Sequence, residues 1–486
     1  MAMAAGELEL SPSEAAVLAY LEKGTGYGPN EEQVPIILSP WQHNLVTGGG
    51  RSGKSALGAW KIEMEHYLSL GLFEAEGRGG LYWLVGADYN QTSKEFEYLT
   101  KFYANVGLLD KQGSTVRVDP GRIELLDGVD AKGIRRWKTV IKTISAKDEQ
   151  KMGRESPDGV LICEAGEEDI SEAVFLRCLE RVSGVKGGKG GWLFLSGTIE
   201  RTQSRWYVKR ALEWRFGTPE GCKSWSLATW TNTALYPGGR HDPKILALER
   251  QYPDDYFLER MAGIPAPPRG MVFPEVRVEI HVREVEYVPG EPVYVTGDPG
   301  YSSLSPDATE VCQIIGGQIR WFDEIYVTGK TTEEIIHTVQ TTRPWGKDVR
   351  KLVLDPHAKD QHHSMSSVAE VWFAKTGLVA RGERVRIEAG IETFRTFVKP
   401  DVFSGQSPMV FSPRCRGLLS ELGLVPNRNG DMTPFMWEKD AEGNPTNKPD
   451  DRNAHAIKAV WYFLVEHFGY ARVRPKRAQT EYARIA

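Results

Sequence analysis

Residues 48–55 read Gly-Gly-Gly-Arg-Ser-Gly-Lys-Ser, a spacing that can hold a polyphosphate. Gly48, Gly50 and Gly53 let backbone N–H groups turn inward. Lys54 reaches the outer phosphates, and the Ser55 hydroxyl can ligate Mg²⁺. Arg51 and Ser52 complete the loop. A short apolar strand, 44–47, runs in, and a helix-like stretch beginning at Ser55 runs out. The helix would aim its partial positive N-terminus at the phosphates. This pattern predicts binding of a nucleoside triphosphate, with ATP as the expected substrate.

Hydrolysis also needs a carboxylate at a neighbouring strand tip, to hold the Mg²⁺ shell or to orient a water. Glu164 ends the apolar run Val-Leu-Ile-Cys and fits the water-activating role. Motors of the additional-strand class usually place Asp before that Glu, but here the position is Cys163. Glu167, Glu168 and Asp169 follow closely and could compensate. A third apolar strand ends in Ser196-Gly-Thr198, whose hydroxyls could sense the γ-phosphate. Gln42, upstream of the loop, could read the adenine edge. Arg154, ten residues before Glu164, could stabilise the transferring phosphoryl group in cis or from a neighbouring subunit, with Arg51 as its rival.

A second set of acids lies in the C-terminal half. Asp298 follows Val-Tyr-Val-Thr-Gly, Asp355 follows Leu-Val-Leu, and Asp450-Asp451 precede a helix starting near Ala454. Three carboxylates gathered from two strands and a helix suit a two-metal phosphodiester hydrolase using Mg²⁺ or Mn²⁺. Asp298, Asp355 and Asp451 are the expected ligands, with Asp450 in support. His357, His362, His363 and His455 lie nearby in sequence and could assist proton transfer.

The elements needed to position these groups read as two α/β units. In the first, strands at 80–87, 159–164 and 191–198 alternate with helices, which implies a mostly parallel sheet. Pro- and Gly-rich residues 264–271 break both periodicities and read as a junction. Beyond it come a strand near 293–298, a hairpin turning at Gly316-Gly317, a helix from 331 with Thr332 as its cap, a strand at 351–356, a long polar loop over 427–449 and a helix over 454–468. The expected division is an ATPase unit over 1–270, a nuclease unit over 271–470 and a basic flexible tail over 471–486.

Bulk properties narrow the class. The 486 residues are 41% hydrophobic, enough for more than one core. The net charge of −5 speaks against a protein that simply coats nucleic acid, although residues 201–215 and the tail are locally basic. Five scattered cysteines without a CxxC pair fit a reducing compartment and no structural zinc. No eighteen-residue apolar run and no leader-like start are present, so no membrane role is expected.

Taken together, these motifs resemble the large terminase subunit of tailed bacteriophages over nearly the whole chain. In the N-terminal half, Gln42, residues 48–55, the segment 85–91, Arg154, Glu164 and 196–198 fall in that family's order. In the C-terminal half, Asp298, Asp355 and the Asp450-Asp451 pair fall on its nuclease acids. The resemblance implies a P-loop additional-strand ATPase domain followed by a ribonuclease-H-like nuclease. It further implies a motor that cuts concatemeric double-stranded DNA and drives it into a procapsid with ATP. The implied partners are the portal protein, a small terminase subunit and further copies of the chain. Those copies would form a ring, commonly of five, from subunits that are monomers in solution, with Arg154 acting across the interface. The implied place is the cytoplasm of the infected host and, transiently, the portal, not the mature virion. Cys163 departs from the family pattern, and so does His455, which stands where some relatives carry a further Asp. Two other readings share some of these features: a helicase or repair ATPase fused to a nuclease, and a capsid-binding protein with decayed sites.

Overall fold

The computed structural model describes residues 10–470 apart from 116, 129–133, 135, 148–151, 153–154, 184–189, 201–204, 218, 303–304, 361–365, 402–403, 441 and 443. Arg154, His362, His363, the start of the basic stretch at 201 and the basic tail therefore lie outside the described residues. The chain divides into two compact units, Met1–Ala266 and Pro267–Ala486.

The first unit is built on a seven-stranded sheet. Its strands are β1 (His43–Gly48), β2 (Leu81–Gly86), β3 (Arg122–Glu124), β4 (Val140–Ser145), β5 (Gly159–Ile162), β6 (Trp192–Gly197) and β7 (Cys222–Leu227). The order is β3-β4-β2-β5-β6-β1-β7. Every pairing is parallel except that of the edge strand β3 with β4. Strands β1, β2, β5 and β6 are almost wholly buried. Both faces are covered, which is why these segments read as continuous apolar runs without alternation. One core contains Leu57, Trp60, Leu161 and Phe194, and the other contains Leu45, Val160, Phe175 and Leu195.

β6 lies between β1, which leads into the glycine loop, and β5, which leads to Glu164. That inserted strand is the additional-strand arrangement. Because the three strands are parallel, with Thr47 beside Gly197 and Ile162 beside Leu195, their following loops emerge at one edge of the sheet.

The second unit carries a six-stranded sheet ordered β12-β11-β8-β9-β10-β13. Here β8 is Val293–Asp298, β9 Asp307–Ile315, β10 Gln318–Val327, β11 Val349–Leu354, β12 Ala380–Arg381 and β13 Met409–Phe411. β8, β9 and β10 form an antiparallel meander, while β11 runs parallel to β8 and β12 parallel to β11. This is the ribonuclease-H-like order. Gly316 and Gly317 turn the β9–β10 hairpin with φ of 59° and 81°, values a two-residue turn of this hand demands.

The helix His455–Phe468 buries Ile457, Val460, Trp461 and Leu464. Each such large side chain contributes about 1.5–3 kcal/mol when removed from water. Thr296 in β8 donates to the Ala459 carbonyl at 2.6 Å, which pins this helix to the strand that ends in Asp298. Two expectations change in detail. The helix Thr332–Thr342 is capped by Thr331, which forms a capping box with Glu334. The stretch expected as one long loop contains a short antiparallel pair, Trp437–Lys439 with Pro445–Pro449.

Candidate active sites

Gly53 adopts φ 93° and starts the helix Lys54–Glu76 without a side-chain cap. The N-terminal N–H groups therefore stay free for an anion. A Cβ on Gly48 would strike the Lys54 stem at 2.5 Å, and one on Gly49 would strike the Met261 carbonyl at 2.4 Å. The loop is braced from outside: Gly49 N–H donates to Leu227 O, Gly50 N–H to Arg260 O, Thr229 Oγ1 to Gly50 O, and Asn232 Nδ2 to Arg51 O. Arg51 also sits at positive φ, 62°. Ser52 is buried beside the loop.

Lys54 is 7% exposed. Its Nζ donates to Gly48 O at 3.2 Å, Gly49 O at 3.1 Å and Thr198 Oγ1 at 3.1 Å. Burial lowers its pKa, and the nearby Glu164 carboxylate opposes that shift. Glu164 is one of two non-glycine residues at positive φ among those described, at 45°. Backbone strain of this sort is found where a side chain must be aimed. Gly166 and Gly197 let the two loops close: a Cβ on Gly166 would lie 2.1 Å from Thr198 O, and one on Gly197 2.7 Å from Gly166 N. Glycine loop, Lys54, Glu164 and Thr198 thus meet at one edge, a set of groups that fits a Mg²⁺–nucleotide.

Gln42 does not meet them. It precedes β1, at the opposite end of that strand from the glycine loop, and its amide donates to Gly191 O at 2.8 Å. The adenine role assigned to it is corrected on that ground. A glutamine missed in the sequence, Gln33, lies against the loop instead. It is 5% exposed, and its Nε2 occupies the space a Gly53 Cβ would need. Residues around it carry no apolar periodicity and no motif, so nothing in the sequence marked it.

Of the three acids expected to compensate for Cys163, Glu167 bonds Gln91, and Glu168 and Asp169 are exposed. Glu95 was also missed. It is 2% exposed and lies beside Ser55 and Cys163; burial raises its pKa and the Ser55 hydroxyl partly offsets this. In the basic helix Arg205–Trp214, Arg210 is committed to Glu213 and Glu172.

In the second unit Asp298 ends β8 and Asp355 follows the adjacent, parallel β11. Burial raises the Asp298 pKa, His455 opposes that shift and the Asp355 charge adds to it. Asp355 is buried and accepts from the Tyr462 hydroxyl and from His357 N–H. His455 Nδ1 lies 2.9 Å from Asp298 Oδ2. Burial alone would lower the His455 pKa, but the Asp298 carboxylate outweighs it and the net shift is upward.

Asp450 and Asp451, expected to complete the set, are bonded to basic neighbours instead of to that pair. Asp450 is held by Arg452 through Nε at 2.8 Å. Asp451 is 54% exposed and pairs with Lys458 at 2.7 Å. Among the described residues no group of three or more His, Cys, Asp or Glu has a geometry that could hold a metal ion. The donor set as arranged is two carboxylates with a histidine bonded to one of them. It falls short of a full two-metal set. His357 is exposed and faces Asp360.

No model of a known protein family matches the chain, and no curated protein does. Solved structures similar to it are large terminases. One, the large terminase of a thermophilic bacteriophage in complex with ADP, is 13% identical, with 90% of this chain and 99% of that one covered and a TM-score of 0.37. The Thermus phage P74-26 large terminase ATPase domain is 18% identical, covering 50% of this chain and 96% of that one, with a TM-score of 0.38. The nuclease domain of the bacteriophage SPP1 large terminase with bound Mn is 13% identical over 38% of this chain and 95% of that one, with a TM-score of 0.27. The residues described above, not these distant likenesses, carry the reading that follows.

Proposed function

We propose that this chain is an ATP-hydrolysing DNA-packaging motor subunit with an attached metal-dependent endonuclease. The observation that carries the ATPase half is the junction of Lys54 with the glycine loop and with Thr198, inside the field of Glu164. Lys54 would hold the outer phosphates and Ser55 the Mg²⁺. Glu164 would polarise the attacking water, and Thr198 would report loss of the γ-phosphate to β6. Arg154 is proposed to act on the transferring group, in trans from a neighbouring copy. Gln33 is the better-placed glutamine for the nucleotide edge of the loop.

The nuclease half rests on Asp298 and Asp355 at adjacent strand ends of a ribonuclease-H-like sheet. A bound Mg²⁺ or Mn²⁺ would supply Lewis acidity there. What the chain itself provides is a buried carboxylate, Asp355, a half-buried one, Asp298, and a histidine placed to move a proton at Asp298. Packaging, rather than another use of ATP and nuclease together, is supported by the family order of the motifs along the chain. Portal protein, small subunit and a ring of further copies are the corresponding partners, and host cytoplasm the corresponding place. No helix among the described residues is long and apolar enough to cross a membrane.

The test is a pair of assays on full-length protein. ATP hydrolysis should fall steeply in Lys54→Ala while DNA cleavage persists, and in Asp298→Asn cleavage should fall while ATP hydrolysis persists. Normal ATP turnover by the Lys54 variant would remove the basis of this reading.

A further inference from the structure

At the strand end where P-loop motors usually hold their Mg²⁺ shell with an aspartate, this chain has Cys163, wholly buried. We propose that Glu95, from the helix Ser93–Asn105, supplies the carboxylate of the Mg²⁺ shell in its place. The inference rests on the nucleotide-binding reading of residues 48–55.

The first observation is position. The Glu95 carboxylate lies within interaction range of both the Ser55 hydroxyl and the Cys163 thiol, and its charge is felt by Lys54. The strand aspartate of such motors serves the Mg²⁺ bound to the P-loop Ser or Thr. Glu95 meets that same hydroxyl, on Ser55. It also touches the residue that stands where the aspartate would be, so the carboxylate has moved to a neighbouring element while its place in space is kept.

The second observation is that Glu95 has been released from its local role. Thr92 followed three residues later by Glu95 spells a capping box. The same spelling forms closed boxes at Ser11/Glu14, Thr331/Glu334 and Ser367/Glu370. At Thr92 no side-chain cap bond forms, and the hydroxyl instead donates to Tyr89 O at 2.8 Å. The preceding turn, Tyr89–Thr92, is capped by Asp88 through Gln91 N–H. Glu95 is thus released from the cap and is 2% exposed. The groups beside it are a hydroxyl, a thiol and its own backbone N–H, and the cation that feels its charge, Lys54, bonds Gly48 O, Gly49 O and Thr198 Oγ1 instead. A buried carboxylate so placed is costly without a positive charge. A divalent ion on Ser55 would provide that charge.

The experiment uses the full chain and follows Mn²⁺ by electron paramagnetic resonance, counting only the ion taken up when ADP is present. Glu95→Gln keeps the side-chain size and should weaken that Mn²⁺ by about tenfold or more. ADP affinity in the absence of metal should stay within about twofold, since the phosphate cradle is untouched. Cys163→Asp in the Glu95→Gln background should restore the Mn²⁺, which also shows that the fold has survived. Unchanged Mn²⁺ affinity in Glu95→Gln, or a loss that Cys163→Asp does not restore, overturns the proposal. Should the unaltered chain take up no ADP at all, the nucleotide reading falls and this inference with it. That result is distinct from normal ADP binding with indifferent Mn²⁺.

Discussion

The glycine loop of the first unit and the paired aspartates of the second both sit where adjacent parallel strands end, yet they are completed to different degrees. In the first unit Lys54, Thr198, Glu164 and Glu95 converge, each fixed by a strand end or the start of a helix packed on the sheet. In the second, Asp298 and Asp355 converge for the same reason, but the two acids outside the sheet do not. Asp450 caps and Asp451 opens a short turn before the last helix, and each has a cation within reach, Arg452 and Lys458. A parallel sheet delivers residues at neighbouring strand ends to one place whatever their side chains. A loop residue arrives only if no nearer charge takes it.

The sharpest test of that contrast removes the group with the most chemistry to do. Glu164→Gln should still bind ATP yet turn it over about 100- to 10,000-fold more slowly, because an amide cannot accept the proton of the attacking water. Lost binding with a shifted Mg²⁺ dependence would instead give Glu164 the metal role argued above for Glu95. Nucleotide affinity and hydrolysis at several Mg²⁺ concentrations separate the two outcomes.

Next in size is the phosphate cradle. Lys54→Ala should lower ATP hydrolysis about 100- to 1,000-fold, the usual cost of removing one donor aimed at developing charge. DNA cleavage should be unaffected. A parallel fall in cleavage would break the claim that the two sites are built independently.

For the second unit, Asp298→Asn and Asp355→Asn should each weaken Mn²⁺-dependent cleavage by about 10- to 100-fold or more, the range expected when a metal site loses a supporting group, and leave ATP turnover intact. Mn²⁺ soaked into crystals should give anomalous signal between the two residues. An empty position there, with full cleavage by the Asp298 variant, would make the nuclease reading of this unit untenable.

What could be read in advance follows the same physics. Strands buried on both faces, such as β1, β2, β5 and β6, announce themselves as short apolar runs, and Gly316-Gly317 spells its own hairpin. The less apolar β4 and the edge strands β3 and β7 carry no such run and are not legible as strands. Glycine-loop chemistry is local and legible. Gln42 misleads because distance along the chain, six residues before the loop, is not distance in space. A β-strand rises about 3.3 Å per residue, so a residue at its start stands far from its end. Glu95 is illegible for a related reason. Its partners, Ser55 and Cys163, lie on two other elements of the fold, and its spelling with Thr92 points to a helix cap that the structure does not form.

The smallest expected effect is the one that most directly probes how the second site is closed. Asp451 is more than half exposed and is satisfied by Lys458. Exposed ion pairs of this kind contribute about 0–1 kcal/mol, so Asp451→Asn should leave folding nearly unchanged. Cleavage should fall a few-fold at most, and Asp450→Asn should behave alike, since Arg452 rather than the aspartate pair holds that carboxylate. His455→Ala should be the more damaging change at this helix start, because His455 is the residue there that bonds Asp298. The measurement is single-turnover cleavage of a supercoiled plasmid by each variant across a Mn²⁺ titration. A loss in Asp451→Asn as deep as in Asp298→Asn would mean that metal entry draws Asp451 away from Lys458 and into the site. Lys458 is the common neighbour that makes such a movement short, since its charge is also felt at Asp298. In that case the second site would be assembled by its metal, whereas the first has its converging groups in place beforehand.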